Sequence, residues 1–256
     1  MATASADLVG TQIRTWRSRR RLSQLDLALD AEISARHLSF IETGRSRPSR
    51  AMLLRLAERL RIPPRERNVL LVAGGFAPAL PARTLDDPAL AAARQAVDKV
   101  LAAYEPFPAL AIDFHWNLVA ANSGIAPFLT DVAPRLLEPP LNVLRLSLHP
   151  EGLAPRIENL AQWRGHVFRR LEEQIDVSAD PVLAALLEEL RAYPGGVAEG
   201  EPGGIAILLK VRQGPHSLSF LSMTTVFGTP VDITLSELAI EAFLPADAET
   251  AAILRG

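Results

Sequence analysis

The stretch from Ser23 to Pro48 constrains this chain more than any other, because its spacing admits two short helices with a tight turn between them. Ser23 precedes Gln24-Leu25-Asp26-Leu27-Ala28-Leu29, and Asp26 three residues on forms a shortened capping box. Leu25, Ala28 and Leu29 fall at i, i+3 and i+4, the spacing of one helical face. Ile33 offers an apolar plug and Ser34 a second N-cap. Leu38 and Ile41 lie three apart and turn inward. That leaves Ala35, Arg36, His37, Ser39 and Phe40 outside until Gly44 ends the helix. Two short amphipathic helices with a small, polar, partly basic outer face are what a reader of the DNA major groove requires.

The charge is divided in the same sense. The 256 residues carry −2 overall, but residues 1–75 hold 14 Arg against 7 Asp or Glu, a balance of +7 with no lysine. The remaining 181 residues hold 13 basic and 22 acidic side chains, a balance of −9. Such asymmetry suits a nucleic-acid-binding half joined to one that never meets phosphate, although an uneven solvated surface would look alike. The length allows one large domain or two ordinary ones. With no cysteine, disulfides, thiolate nucleophiles and zinc–thiolate sites are excluded. The opening residues lack a charged-then-apolar leader pattern, and no window is apolar enough to span a bilayer. A soluble cytoplasmic protein with no membrane association is expected.

Along the chain, residues 8–20 predict a first helix, with Leu8, Ile13 and Trp16 apolar and Arg14, Arg17, Arg19, Arg20 and Arg21 clustered towards its end. Cations there also suit the helix macrodipole. Ser49 opens a fourth helix over 52–60, and Pro64 a fifth that ends at Gly74-Gly75. Residues 76–104 read as a linker and a connecting helix, the helix starting at Asp87-Pro88 and reaching Tyr104. From Ala109 the period becomes two, which predicts a hairpin of 109–114 and 118–121 with a short helix after Asn122. Helical spacing returns over 154–175 and 181–192. Gly195-Gly196 and Gly203-Gly204 bracket a loop; strands follow at 205–212 and 218–227, with a turn at Gly214-Pro215. Thr234-Leu235-Ser236-Glu237 reads as a capping box for a last helix near 235–243.

These residues carry a family resemblance. Residues 8–75 resemble a helix-turn-helix domain of the XRE, lambda-repressor-like class. The run His37-Leu38-Ser39-Phe40-Ile41-Glu42-Thr43-Gly44-Arg45-Ser46-Arg47-Pro48-Ser49-Arg50 is similar to the bacterial regulators whose second half is an MmyB-like, PAS-like ligand-binding domain. The resemblance implies an all-α, five-helix N-terminal domain over 8–75 and an α+β PAS-like domain over 105–256. It departs from the pattern at Glu32, where such domains usually carry glycine, so a left-handed residue there would bear a cost.

In that arrangement Gln24 reaches a phosphate and braces its neighbours, while Ser34, Ala35, Arg36 and His37 bring the first turn of the recognition helix to base edges. Arg36 is the main candidate for direct readout, since a guanidinium can hold guanine O6 and N7 together. His37 and Ser39 contact bases or phosphate; Arg45, Arg47 and Arg50 hold the backbone. One such unit buries little surface, so a homodimer on double-stranded DNA is expected.

The second half offers no catalytic set. His115, His149, His166 and His216 are widely spaced, without metal-ligand patterns, and read as surface or capping residues. Glu172-Glu173 and Glu188-Glu189 read as solvated helix faces. No nucleophile elbow, phosphate loop or dinucleotide fingerprint occurs. No enzyme activity, cofactor or metal is therefore expected. The resemblance implies instead a pocket between a curved sheet and its covering helices, accepting a small apolar ligand such as a fatty acid. Candidate lining residues are Phe114, Trp116, Leu118, Leu146, Trp163, Val167, Phe168, Phe220 and Met223. Asn122, His149, Thr224 and Thr225 are candidates for polar contacts, although aromatic residues at such spacings also fill ordinary cores. The competing reading is a second half that docks a protein partner.

Overall fold

A computed structural model describes residues 2–198 and 206–255, with side chains from Leu8 onward; Gly203-Gly204 and the start of the strand expected at 205 lie outside the described residues. The chain divides into two compact units. One comprises residues up to Ala82 with Asp176–Ala179 and Val231–Ile233; the other comprises Arg83–Ile175, Asp180–Pro230 and the chain from Thr234.

The first unit is built from α1 (Ala2–Arg19), α2 (Gln24–Asp30), α3 (Ala35–Glu42), α4 (Arg50–Arg59) and α5 (Pro64–Ala73). Their core holds Ile13, Leu27, Leu38, Ile41, Leu53, Leu56 and Leu70, all essentially inaccessible to solvent. Two assignments of the inward faces change. On α1, Val9 is buried and Leu8 exposed. On α2, Leu27 and Ala28 face the core while Leu25 and Leu29 are exposed. A seven-residue helix is too short for its pattern to choose between two stripes that share Ala28.

Three of these helices end alike on a left-handed residue that carries a side chain. After α2 the Ile33 amide donates to the Ala28 carbonyl and the Glu32 amide to Leu29, with Glu32 left-handed at φ 54°. Arg21 (φ 55°) and Arg61 (φ 49°) repeat the motif after α1 and α4. This is the Schellman closure, which prefers glycine at the left-handed position. The chain bears the steric cost of a side chain there three times. Where α1 approaches α3, Gly10 is indispensable: a Cβ on it would lie 2.5 Å from the Ile41 carbonyl oxygen.

The second unit begins with a 3-10 turn at Pro88–Leu90, capped by the Asp87 carboxylate on the Ala89 amide, and continues as α6 (Ala91–Ala103). Its sheet contains β1 (Ala109–Ile112), β2 (Leu118–Ala121), β3 (Leu209–Gln213), β4 (His216–Val226) and β5 (Ala239–Pro245). The spatial order is β2-β1-β5-β4-β3, and every pair is antiparallel. The expected period of two holds in β1, yet both faces are buried. Small Ala109 and Ala111 lie under Val97 and Leu101 of α6, while larger Leu110 and Ile112 enter the main core.

The other face of the sheet is covered by α7 (Val143–Leu148), α8 (Leu160–Ser178) and α9 (Pro181–Ala192). Trp163, Val167, Phe168 and Leu171 of α8 share the expected buried face. The Asp180 carboxylate caps α9 by accepting from the Val182 and Leu183 amides. The helix expected near 235–243 is not formed. Only the short α10 (Ile233–Ser236) is helical, and Thr234 donates its hydroxyl to the Arg83 carbonyl at 2.5 Å. Ala239–Pro245 is instead the middle strand, paired with β1 on one side and β4 on the other. Two ladders of backbone bonds outweigh the helical propensity of Ala, Glu and Leu in that segment. The chain then forms α11 (Ala248–Arg255).

Candidate DNA interface and effector cavity

In the helical unit, both helices of the pair begin on side-chain caps. The Ser23 amide donates to the Asp26 carboxylate at 2.8 Å and Ser23 Oγ accepts from the Asp26 amide at 3.1 Å, completing the capping box. Ser34 Oγ accepts from the His37 amide at 3.1 Å, so Ser34 fixes the start of α3. Arg36 is exposed on α3 and His37 and Ser39 are half-buried beside it, whereas Ala35, expected outside, packs partly against the core because its small side chain sits in the first turn next to it. The Arg36 guanidinium rests over the Phe40 ring at 5.4 Å, which aligns it along that face. Arg45, Arg47 and Arg50 are exposed beyond the helix. Among the described residues, Arg36, Arg45 and Arg50 enter no ion pair.

Other arginines of the basic half hold the fold instead. Arg17 clamps Glu42 through Nε at 2.6 Å and Nη2 at 3.0 Å, and Gln24 Nε2 donates to the same carboxylate at 2.7 Å. This network, missed in the sequence, ties α1 and α2 to the end of α3 around a carboxylate only 7% exposed. Its hydrogen bonds to the Glu42 carboxylate raise the Arg17 pKa against the opposing effect of burial. Gln24 thus braces Glu42. Arg20 Nε and Nη2 donate to the Leu60 and Arg61 carbonyls and close the end of α4.

In the second unit, the sheet and its covering helices line a partly open cavity of about 100 Å³. Of the expected ligand residues, Trp116, Leu146, Trp163, Val167 and Phe220 line it together. Phe114, Leu118, Asn122, His149, Phe168, Met223, Thr224 and Thr225 do not line it. Phe168 is buried beneath the Arg164 guanidinium, 5.0 Å from its ring. Phe114 packs edge-on to His115. Met223 is exposed on β4. Asn122 has its amide fully engaged with backbone, accepting from the Ala109 amide and donating to the Leu101 and Phe107 carbonyls. Its role in the structure is to lock the start of the hairpin.

The polar end of the cavity comes from residues the sequence reading did not select. Arg170 on α8 and Glu241 on β5 form a two-pronged pair, with Nη2 to Oε1 at 2.7 Å and Nη1 to Oε2 at 3.2 Å. Thr224 and Ser222 donate their hydroxyls to the two Glu241 oxygens at 2.8 and 3.1 Å. Thr224 therefore acts one layer behind the cavity wall. Arg170 also lies 4.7 Å over the Trp116 ring, and Trp116 Nε1 donates to Gln174 at 2.9 Å. Trp116 is held left-handed at φ 67°, a conformation rare for a bulky residue and sustained by this surrounding. His166 completes this end. Burial first, then Arg170 and Arg169, hold its pKa below the ordinary histidine value, with Glu241 opposing.

Three of the four glutamates expected on solvated faces are paired. Glu172 and Glu188 meet Arg191 at 2.5 and 2.9 Å, while Glu189 binds Arg145 at 2.8 Å and accepts from the Tyr193 hydroxyl. Burial and Glu189 push the Tyr193 pKa up to about 12. Among the described residues no group of three His, Asp or Glu is placed to hold a metal, and no helix is long and apolar enough to cross a membrane.

A capped helix pair with a basic outer face, joined to a sheet domain built around a cavity, defines a helix-turn-helix regulator with a ligand-binding domain. Residues 8–70 match a helix-turn-helix domain, and residues 93–256 match the MmyB-like transcription regulator ligand binding domain. The chain belongs to the MmyB-like transcription regulators. No curated protein matches it. Similar solved structures include the clp gene regulator ClgR from C. glutamicum, at 21% identity over 28% of this chain and 88% of that one, with a TM-score of 0.25. They also include the restriction-modification controller protein C.AhdI from Aeromonas hydrophila, at 31% identity over 25% of this chain and 97% of that one, with a TM-score of 0.24. A third is apo ComR from S. thermophilus, at 26% identity over 39% of this chain and 37% of that one, with a TM-score of 0.25.

Proposed function

We propose that this DNA-binding regulator is a one-component sensor: α3 reads an operator as part of a homodimer, and the cavity between sheet and helices takes a small, largely apolar effector. The observation that carries the reading is the cavity itself, walled by Trp116, Leu146, Trp163, Val167 and Phe220. Docking of a protein partner would call for a solid core beneath a flat apolar patch, so the cavity favours an effector.

On the DNA side, Arg36 reads a base pair, with Ala35, His37 and Ser39 beside it, while Gln24 and the cap residue Ser34 adjoin the phosphate. Arg45, Arg47 and Arg50 grip the backbone. Binding to duplexes selected from a random library tests these roles. Arg36→Ala should relax preference at one base pair by about 1–3 kcal/mol. Arg50→Ala should weaken all sequences alike and reduce the salt slope by about one. Equal effects of the two changes would contradict the division of roles. Extraction of the purified protein followed by mass spectrometry tests the effector reading through recovery of an apolar small molecule.

A further inference from the structure

Resting on the effector reading, we propose that the effector is uncharged and compact: a molecule of about the bulk of one aromatic ring, bearing at most a neutral hydroxyl or amide and no carboxylate. Two properties of the cavity lead there.

The first is charge. Among the described residues that line the cavity, Arg170 is the one arginine or lysine, and its fork is closed on Glu241. Glu241 is 3% exposed. Each of its oxygens accepts twice: Oε1 from Arg170 and Thr224, Oε2 from Arg170 and Ser222. A carboxylate offers about four acceptor positions, and all are filled. The pair is therefore neutral and satisfied. His166 adds no compensating charge, since its burial and the neighbouring Arg170 and Arg169 disfavour its protonation. A ligand carboxylate would have to leave water, lie beside the Glu241 anion and find no free cation. Burying an ion without a partner costs several kcal/mol. A neutral hydroxyl meets no such barrier.

The second property is size. At about 100 Å³ the cavity is smaller than the usual range for drug-sized ligands, roughly 300–1,000 Å³. It is nearer to an apolar cavity of about 150 Å³ that admits benzene. Phe128 and Phe220 meet edge to face at 5.7 Å in the wall, leaving an opening shaped by rings. A long acyl chain would not be contained within that volume.

The test compares matched probes on the full chain by calorimetry at neutral pH: benzyl alcohol against benzoate, and decanol against decanoate. Benzyl alcohol should bind at least about tenfold more tightly than benzoate. Glu241→Gln, which frees Arg170 from its counter-charge, should raise benzoate affinity about tenfold or more and reverse the order. Benzoate binding as tightly as benzyl alcohol to the wild-type protein would overturn the proposal without any variant. Binding of decanoate but not of benzyl alcohol would overturn it too, while leaving the cavity as an effector site. Failure of all four probes would remove the effector reading itself.

Discussion

The two units each bury a glutamate under an arginine fork, but to different ends. In the helical unit, Glu42 joins Arg17 and Gln24 deep in a packed interior, and the side chains proposed to read DNA stand outside on α3. In the sheet unit, Glu241 joins Arg170 at the edge of a void, and the side chains proposed to meet the effector line it. One pair makes a rigid handle that presents a surface. The other sets the electrostatics of a space to be filled. The same local chemistry serves display in one region and selection in the other, because the first has no room beside it and the second has.

The largest expected effect separates these roles. Glu42→Ala leaves Arg17 unpaired at a packed site and should cost about 3–5 kcal/mol, read as a fall in the denaturation midpoint of the helical unit. Operator binding should fall with it. If Glu42→Ala were as mild as an exposed substitution, the handle would have no mechanical role. Gly10→Ala should also destabilise this unit, by about 1–3 kcal/mol or more, since the new methyl group meets the Ile41 carbonyl.

A buried charge with no counter-ion among the described residues sharpens the contrast. Arg164 in the sheet unit is 1% exposed, and among the described residues its Nε and Nη1 have no hydrogen-bond partner. Burial lowers its pKa. Arg164→Met should raise the melting temperature, by the equivalent of about 1–3 kcal/mol. A loss of stability would mean that the guanidinium is more fully compensated than its geometry indicates. At the small end, Glu32→Gly should stabilise the helical unit by up to about 1 kcal/mol by relieving the left-handed side chain.

Acid should affect the two units unequally. His149 and His166, both in the sheet unit, have folded pKa values below the ordinary one, chiefly through burial. The unfolded chain then binds more protons, so stability rises with pH; it is complete above the unfolded histidine value and declines as pH falls below it. Denaturation of the sheet unit at successive pH values from neutral to mildly acid should show this slope. His166→Gln should flatten it.

How much of this was legible in the sequence follows from the same contrast. The outward face of α3, its Ser34 cap, the Ser23–Asp26 box and even the left-handed Glu32 were readable, because caps, turns and exposed faces are local properties. Ala239–Pro245 was not. Its strand character arises from β1 and β4 on either side, and its composition alone favours a helix. With that strand misread, Glu241 had no inward direction, and its pairing with Arg170, 71 residues earlier, could not be seen. The only available signal was a lone glutamate among apolar neighbours in Ala239-Ile240-Glu241-Ala242-Phe243. Five cavity residues were found because large apolar side chains are good guesses for any interior. The backbone engagement of Asn122 was not legible because its partners come from three separate segments.

The central claim is that filling the cavity changes the grip of α3 on DNA. A ligand can do this only by binding two conformations unequally, and typical couplings are about 1–3 kcal/mol, or roughly 5- to 150-fold. The direct measurement is the affinity of the full chain for a selected duplex, by fluorescence anisotropy at fixed salt, with and without saturating benzyl alcohol. The account predicts a shift of about fivefold or more in either direction. An unchanged affinity with the cavity demonstrably occupied would contradict it.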